Sequence, residues 1–188
     1  MKILLREVLG TIILALAIFL LLQATVQSFI VVGSSMENNL QDRQRLLINK
    51  AVYAFHEPEW GDVIVFRSPN DEKTDFIKRI IALPGDTVEV EGEVVYVNGS
   101  PLDEPYIKNQ PSYELSFRTI PDNNYFVLGD NRNNSNDSHN DWTVPRQNII
   151  GKAWLSIWPP EQWGLVANYS LSEQLTTGAL AGVYIYHY

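Results

Sequence analysis

Cysteine is absent from all 188 residues. That removes disulfides, thiolate metal sites and cysteine catalysis together, and a thiol-free chain suits an oxidising exterior. Histidine is scarce, with His56, His139 and His187 as the whole supply. None has a distinct acidic partner set that would make a Ser-His-Asp triad. His56-Glu57 lacks the second histidine of a zinc-protease helix, and His139 reads as an ion-pair partner of the nearby Asp137. Basic charge is thin as well, 14 Lys and Arg against 22 Asp and Glu. The resulting net charge of −8 repels phosphates and argues against a nucleic-acid partner. There is no long amphipathic helix pattern, no internal repeat and no low-complexity tract.

What the chain does have is one long apolar run at its start. From Val8 to Leu22, 15 residues, Thr11 is the one polar side chain. Such a stretch spans ~22 Å as a helix, short of a ~30 Å hydrocarbon core. Ile3–Leu5 before it and Ala24–Val32 after it close the gap. Lys2 and Arg6 flank the start, which keeps the N-terminus cytoplasmic and puts the rest of the chain outside. A removable secretory signal is the competing reading. Against it, Leu22-Gln23-Ala24 places a bulky residue where a cleavage site needs a small one. The expected organisation is a retained single-pass anchor over residues 1–30, a catalytic domain over 31–165 and a tail over 166–188. The apolar end of that tail, Gly178–Tyr186, is too short to span a bilayer. It is open between an edge strand, an interfacial anchor and a frayed end.

Past Gly33 the pattern becomes short apolar runs punctuated by turns. Arg45–Asn49, Asp62–Phe66, Phe76–Leu83, Thr87–Val90, Glu93–Val97, Tyr125–Leu128 and Ala153–Trp158 read as strands. Asn98-Gly99 and Pro84-Gly85-Asp86 are turn signals between them. The fold class is mostly β: an antiparallel, barrel-like domain behind one N-terminal transmembrane helix.

Three places could carry chemistry. Lys78 lies in an apolar run, where alternation puts Phe76, Lys78 and Ile80 on one face and Arg79 on the other. If the Phe76 face is buried, the lysine loses water and its charged form is disfavoured. A neutral amine can then take the proton of a serine hydroxyl. Ser35 follows Gly33-Ser34, small residues that let a substrate backbone approach. The plain alternatives are a lysine on the wet face of an edge strand and a serine in a juxtamembrane linker. The third place is the polar stretch Gly129-Asp130-Asn131-Arg132-Asn133-Asn134-Ser135-Asn136-Asp137-Ser138-His139. As a calcium loop it fails, because Arg132 and Ser135 occupy the third and sixth positions. It reads either as a solvated loop or as a scaffold that orients a catalytic group, with Ser135 free to accept from an ammonium.

In order and spacing, these segments resemble the type I signal peptidase family of bacteria and organelles. The resemblance is carried by the anchor, Gly33-Ser34-Ser35-Met36, Gly61-Asp62-Val63-Ile64-Val65-Phe66, Lys78-Arg79-Ile80-Ile81-Ala82-Leu83-Pro84-Gly85-Asp86 and Gly129-Asp130-Asn131-Arg132 through Ser138. It covers roughly residues 5–160. It implies a membrane-bound serine endopeptidase that removes signal peptides from exported preproteins, needing no metal or cofactor. In that family's terms Ser35 is the nucleophile, Lys78 the general base and Ser135 the serine that orients the lysine. Asp137, with Asp130 and Arg132, supports the site, and Asp137 meets His139 where the family has an arginine. Backbone groups of Gly33, Ser35 and Met36 would receive the substrate and its oxyanion. Asn38-Asn39 stands where the family has Pro-Thr, which predicts a less rigid turn behind Ser35. Trp142 replaces a common glycine. The implied partners are preprotein signal peptides and a lipid bilayer, plasma or thylakoid, with the catalytic domain on the outer face and a monomer favoured. Trp60, Trp158 and Trp163 are candidates for touching the membrane interface. A relative that binds exported chains without cutting them, or a Ser-Lys self-cleaving regulator, would share these residues.

Overall fold

A computed structural model describes residues 2–71 and 73–175. The N-terminal run forms α1 (Lys2–Thr25). Its part from Arg6 to Thr25 is long and apolar enough to cross a membrane, and none of it is buried against the rest of the protein. The helix stops sooner than the apolar composition does. Val26–Ile30 is β1, an antiparallel partner of β2 (Arg45–Asn49). The β-branched and aromatic residues that extend the run, Val26, Phe29 and Ile30, suit a strand as well as a lipid-facing helix. Residues 26–30, read from sequence as part of the anchor, therefore belong structurally to the β domain. The junction has no linker: the Lys50 N–H donates to the Thr25 carbonyl at 2.8 Å.

The remaining strands are β3 (Val63–Arg67), β4 (Asp75–Ala82), β5 (Thr87–Glu91), β6 (Val94–Val97), β7 (Ser100–Pro101), β8 (Leu115–Thr119), β9 (Asn124–Leu128), β10 (Val144–Pro145), β11 (Ile149–Trp158) and β12 (Gly164–Leu165). All pairings are antiparallel. The larger sheet runs β1-β2-β11-β3-β4-β9-β10, with β12 on β11, and the smaller runs β7-β6-β5-β8. Seven sequence-predicted strands lie within or beside β2, β3, β4, β5, β6, β9 and β11.

β4 carries Lys78 and lies inside the larger sheet, between β3 and β9. From Ile77 onward each of its residues is buried, as befits a strand covered on both faces. Val88, Val95, Ile81 and Phe126 form a core under the smaller sheet, and Leu171 and Leu175 of the C-terminal segment pack into the same core. A second cluster around Val31, Met36, Leu46, Val63 and Ile77 sits beneath the turn that carries Ser35. Residues 166–175 of the predicted tail are thus docked, with the Val166 N–H donating to the Trp154 carbonyl at 2.9 Å. Gly178–Tyr186 lies outside the described residues.

Candidate active site

Ser35 follows Gly33, whose φ of +87° is ready for glycine and strained for other residues. The turn is fixed from below by Met36, which is fully buried. It is fixed from the side by the polar loop after β9. The Asn131 N–H donates to the Ser35 carbonyl at 3.0 Å, Asn131 Nδ2 to the Ser34 carbonyl at 3.0 Å and Asn134 Nδ2 to Ser34 Oγ at 2.8 Å. The loop is a scaffold rather than a solvated excursion, and its asparagines do much of the holding.

Lys78 comes from β4, opposite Ile64 of β3. It is 4% exposed, and its Nζ lies 2.7 Å from Ser35 Oγ and 2.8 Å from the Ile77 carbonyl. The Phe76 ring centre is 5.4 Å from Nζ, in keeping with the face assigned by alternation. Burial pushes the Lys78 pKa down to about 8, against the opposing pull of Asp137 and then Asp130. Both conditions for an amine base are met: contact with the hydroxyl and a disfavoured charge.

The other predicted residues behave unequally. Asp130 is fully buried and takes a two-pronged ion pair from Arg79, at 2.9 and 2.8 Å. Arg79, the neighbour of Lys78 on the opposite face, also donates to the Gly61 carbonyl at 2.9 Å and lies 4.3 Å from the Tyr106 ring centre. Arg132 pairs with Glu104 at 2.6 and 2.5 Å. Burial alone would lower the Arg132 pKa, but the Glu104 carboxylate leaves it raised. Asp137 accepts from the Gly129 N–H at 2.8 Å and from the His139 N–H at 3.2 Å, and lies 2.7 Å from His139 Nδ1. His139 also stacks on Tyr113, with ring centres 4.4 Å apart.

Three expectations are not met as stated. The Ser135 hydroxyl makes no hydrogen bond to Lys78; among the described residues its oxygen is buried without a partner. It lies instead against Gly129, where a Cβ would meet it at 2.3 Å and the Ser35 carbonyl at 2.5 Å. The Ile77 carbonyl holds the amine in its place. The Gly33 N–H is committed to Asp42 Oδ1 at 2.8 Å, which takes it out of any oxyanion hole. The turn behind Ser35 is not loose either. Asn39 Nδ2 donates to Asp130 Oδ2 at 2.7 Å and to the Tyr106 carbonyl at 2.8 Å, so the departure at that position supplies an anchor of its own.

A cavity of about 290 Å³ opens beside Ser35 and Lys78. Phe29, Ile30 and Val32 line it from one side, Asp75, Phe76 and Ile77 from the other, and Ser35, Lys78 and Asn136 complete the lining. Among the described residues, both walls present strand edges that pair with no further strand. β1 pairs with β2 alone, and β9 pairs with β4 from Arg79 onward, leaving Asp75–Lys78 open on that side. No group of acidic residues and histidines fit for a metal ion exists among the described residues.

The sequence model of the family described as signal peptidase, peptidase S26, matches residues 5–158. The chain belongs to that family. A probable signal peptidase I-1 of Synechocystis is 42% identical over 173 residues, 88% of each chain. A signal peptidase I of Leptolyngbya laminosa is 45% identical over 139 residues, 70% of this chain and 68% of the relative. The thylakoidal processing peptidase 1 of Arabidopsis thaliana is 36% identical over 140 residues, 69% of this chain and 41% of the relative.

Within this signal peptidase site, sequence reasoning passed over Glu104, and it noted Asn39 and Arg79 without giving either a supporting role. Arg79 carried a usable signal, a second charge inside a strand otherwise covered on both faces. Glu104 carried none, because its partner is 28 positions away and in another element.

Proposed function

We propose that the protein is a membrane-bound signal peptidase in which Ser35 attacks and Lys78 moves the protons. The observation that carries this is the 2.7 Å contact between a buried amine and an alcohol beside an open groove. When protonated, Lys78 donates to Ser35 Oγ. When neutral, it accepts the hydroxyl proton as Oγ bonds to the scissile carbonyl carbon. The negative charge that develops on the carbonyl oxygen falls to the Ser35 N–H. The Lys78 ammonium then gives its proton to the departing amine, which leaves as the mature chain. Water loses a proton to Lys78 and attacks the Ser35 ester; as the ester bond breaks, Lys78 returns that proton to Ser35 Oγ and the signal peptide carboxylate leaves.

The substrate binds extended, adding backbone hydrogen bonds to β1 on one side and to Asp75–Lys78 on the other. Ser135 supports the site by packing against Gly129 beside the Ser35 carbonyl, and Asp130, Arg132 and Asp137 fix the loop. The anchor sits in the bilayer with its N-terminus cytoplasmic, and the β domain lies on the outer face. Trp158 and Trp163, 54% and 67% exposed, rest at the interface. Trp60 leaves this group, since it packs on the core and its Nε1 donates to Asp86 at 2.7 Å. The anchored Asn39 favours a cutting enzyme over a relative that merely binds.

Cleavage of a preprotein in detergent by the wild-type chain, Ser35→Ala and Lys78→Ala tests the assignment. Both variants should melt cooperatively and process nothing. Turnover near wild type by either one sinks the dyad.

A further inference from the structure

Between β7 and β8 the chain leaves the smaller sheet and crosses to the catalytic loops before it returns. It is fastened there at several points. The Tyr106 carbonyl accepts from Asn39 Nδ2, the Lys108 N–H donates to the Asp130 carbonyl at 2.9 Å, and the Ser112 N–H donates to Asn133 Oδ1 at 2.7 Å. The strongest fastening is Glu104. Its side chain is 4% exposed and that of its partner Arg132 is 0% exposed. Both carboxylate oxygens are engaged by the guanidinium, and the Tyr106 hydroxyl donates to Glu104 Oε1 at 2.6 Å.

Arg132 points the remaining bond at the catalytic machinery. Its Nε donates to the Gly129 carbonyl at 3.2 Å. Gly129 is the residue wedged between the Ser35 carbonyl and Ser135 Oγ, with no room for a Cβ on that side. We infer that Glu104 is a positioning residue: through Arg132 it holds Gly129 against Ser35 and Ser135, and so couples the smaller sheet to the dyad. Glu104 does not line the groove, so its influence on the reaction passes through Arg132 and Gly129. A buried ion pair is poor evidence for added stability, since its desolvation offsets its attraction. What this one supplies is fixed direction, because a fork of donors on a carboxylate has little freedom.

The inference deepens the protease reading and rests on it. The test uses the full chain in detergent with Glu104→Gln, Glu104→Asp and Arg132→Lys. Preprotein cleavage gives kcat and KM, and amide hydrogen exchange follows residues 129–131. Glu104→Gln should lower kcat more than tenfold with KM within twofold of wild type, because the groove walls are untouched. Exchange at 129–131 should quicken with it. Glu104→Asp, which keeps the charge, should recover part of the loss. Arg132→Lys keeps the opposing charge and so keeps the fold, yet lacks the Nε bond to Gly129. It should repeat the kcat loss, and it decides the matter if Glu104→Gln fails to fold. Wild-type kcat in a folded Glu104→Gln or Arg132→Lys overturns the inference, as does a loss confined to KM. A wild-type chain that cuts nothing overturns the protease reading instead. Exchange at 129–131 then still tests the coupling, and rates equal to wild type in both variants overturn it.

Discussion

In the proposed mechanism Lys78 is useful because it is uncomfortable in the fold. Unfolded, it titrates near 10.5; folded, burial brings it to about 8. Two dependences on pH result. Cleavage needs the neutral amine, so kcat/KM should climb as pH rises and reach half its plateau near 8; a half-point near 6 would contradict the assignment. Stability also rises with pH, between about 8 and 10.5, because there the unfolded chain binds the proton that the folded one has released. That gain amounts to ~3 kcal/mol, and below about 8 the penalty is fully present. Lys78→Met should therefore be inactive yet more stable at pH 7, by about 1–2 kcal/mol after its lost hydrogen bonds are counted. Denaturant unfolding at pH 7 and pH 10.5 checks the sign, since the advantage must shrink at the higher pH. Much of this residue's role was legible in the sequence. A lysine between Ile77 and Ile80 on an alternating strand has two possible fates, and the surrounding motifs selected one. The packing of the Ser135 hydroxyl against Gly129, away from any hydrogen-bond partner among the described residues, was not legible.

At the level of elements, the proposed chemistry depends on a strand end meeting a loop. β9 terminates at Leu128, and the next residue must be glycine because Ser135 Oγ and the Ser35 carbonyl both crowd the place a Cβ would take. Gly129→Ala would drive a methyl into the Ser35 carbonyl and Ser135 Oγ. Overpacking of this kind costs about 1–3 kcal/mol. The variant should melt earlier and lose more than tenfold in turnover, measured by thermal unfolding and cleavage together. A fully active Gly129→Ala would mean that the serine contacts are incidental. Strand positions were readable where one face is apolar, as in Arg45–Asn49, whose predicted and observed limits coincide. β1 was hidden in the apolar run, where composition alone cannot divide helix from strand. β8 was missed for the opposite reason. Leu-Ser-Phe-Arg-Thr at the edge of the smaller sheet leaves Phe117 64% exposed, so there is little alternation to detect.

For the molecule as a whole, α1 joins the β domain at the start of β1, where the Lys50 N–H also reaches the Thr25 carbonyl. None of α1 from Arg6 onward is buried against the domain, so the domain draws no stability from it. A chain beginning at Val26 should melt within a few degrees of the full protein and cut a short peptide in detergent at a similar rate. Against a preprotein in lipid vesicles it should be much slower, having lost the confinement that raises the local concentration of enzyme and substrate. Equal rates on vesicles would show that the anchor contributes nothing to encounter.

The absence of a linker after Thr25 has a geometric consequence. Five residues of strand, ~17 Å at most, then a short turn, are all that separate the last helical residue from Ser35, and the Lys50 N–H clips the corner. With so short a connection, the proposed protease can sever a peptide only within a limited height of the membrane surface. On that reading, a preprotein whose bond lies far from that height should be cut slowly, however well its side chains fit the groove.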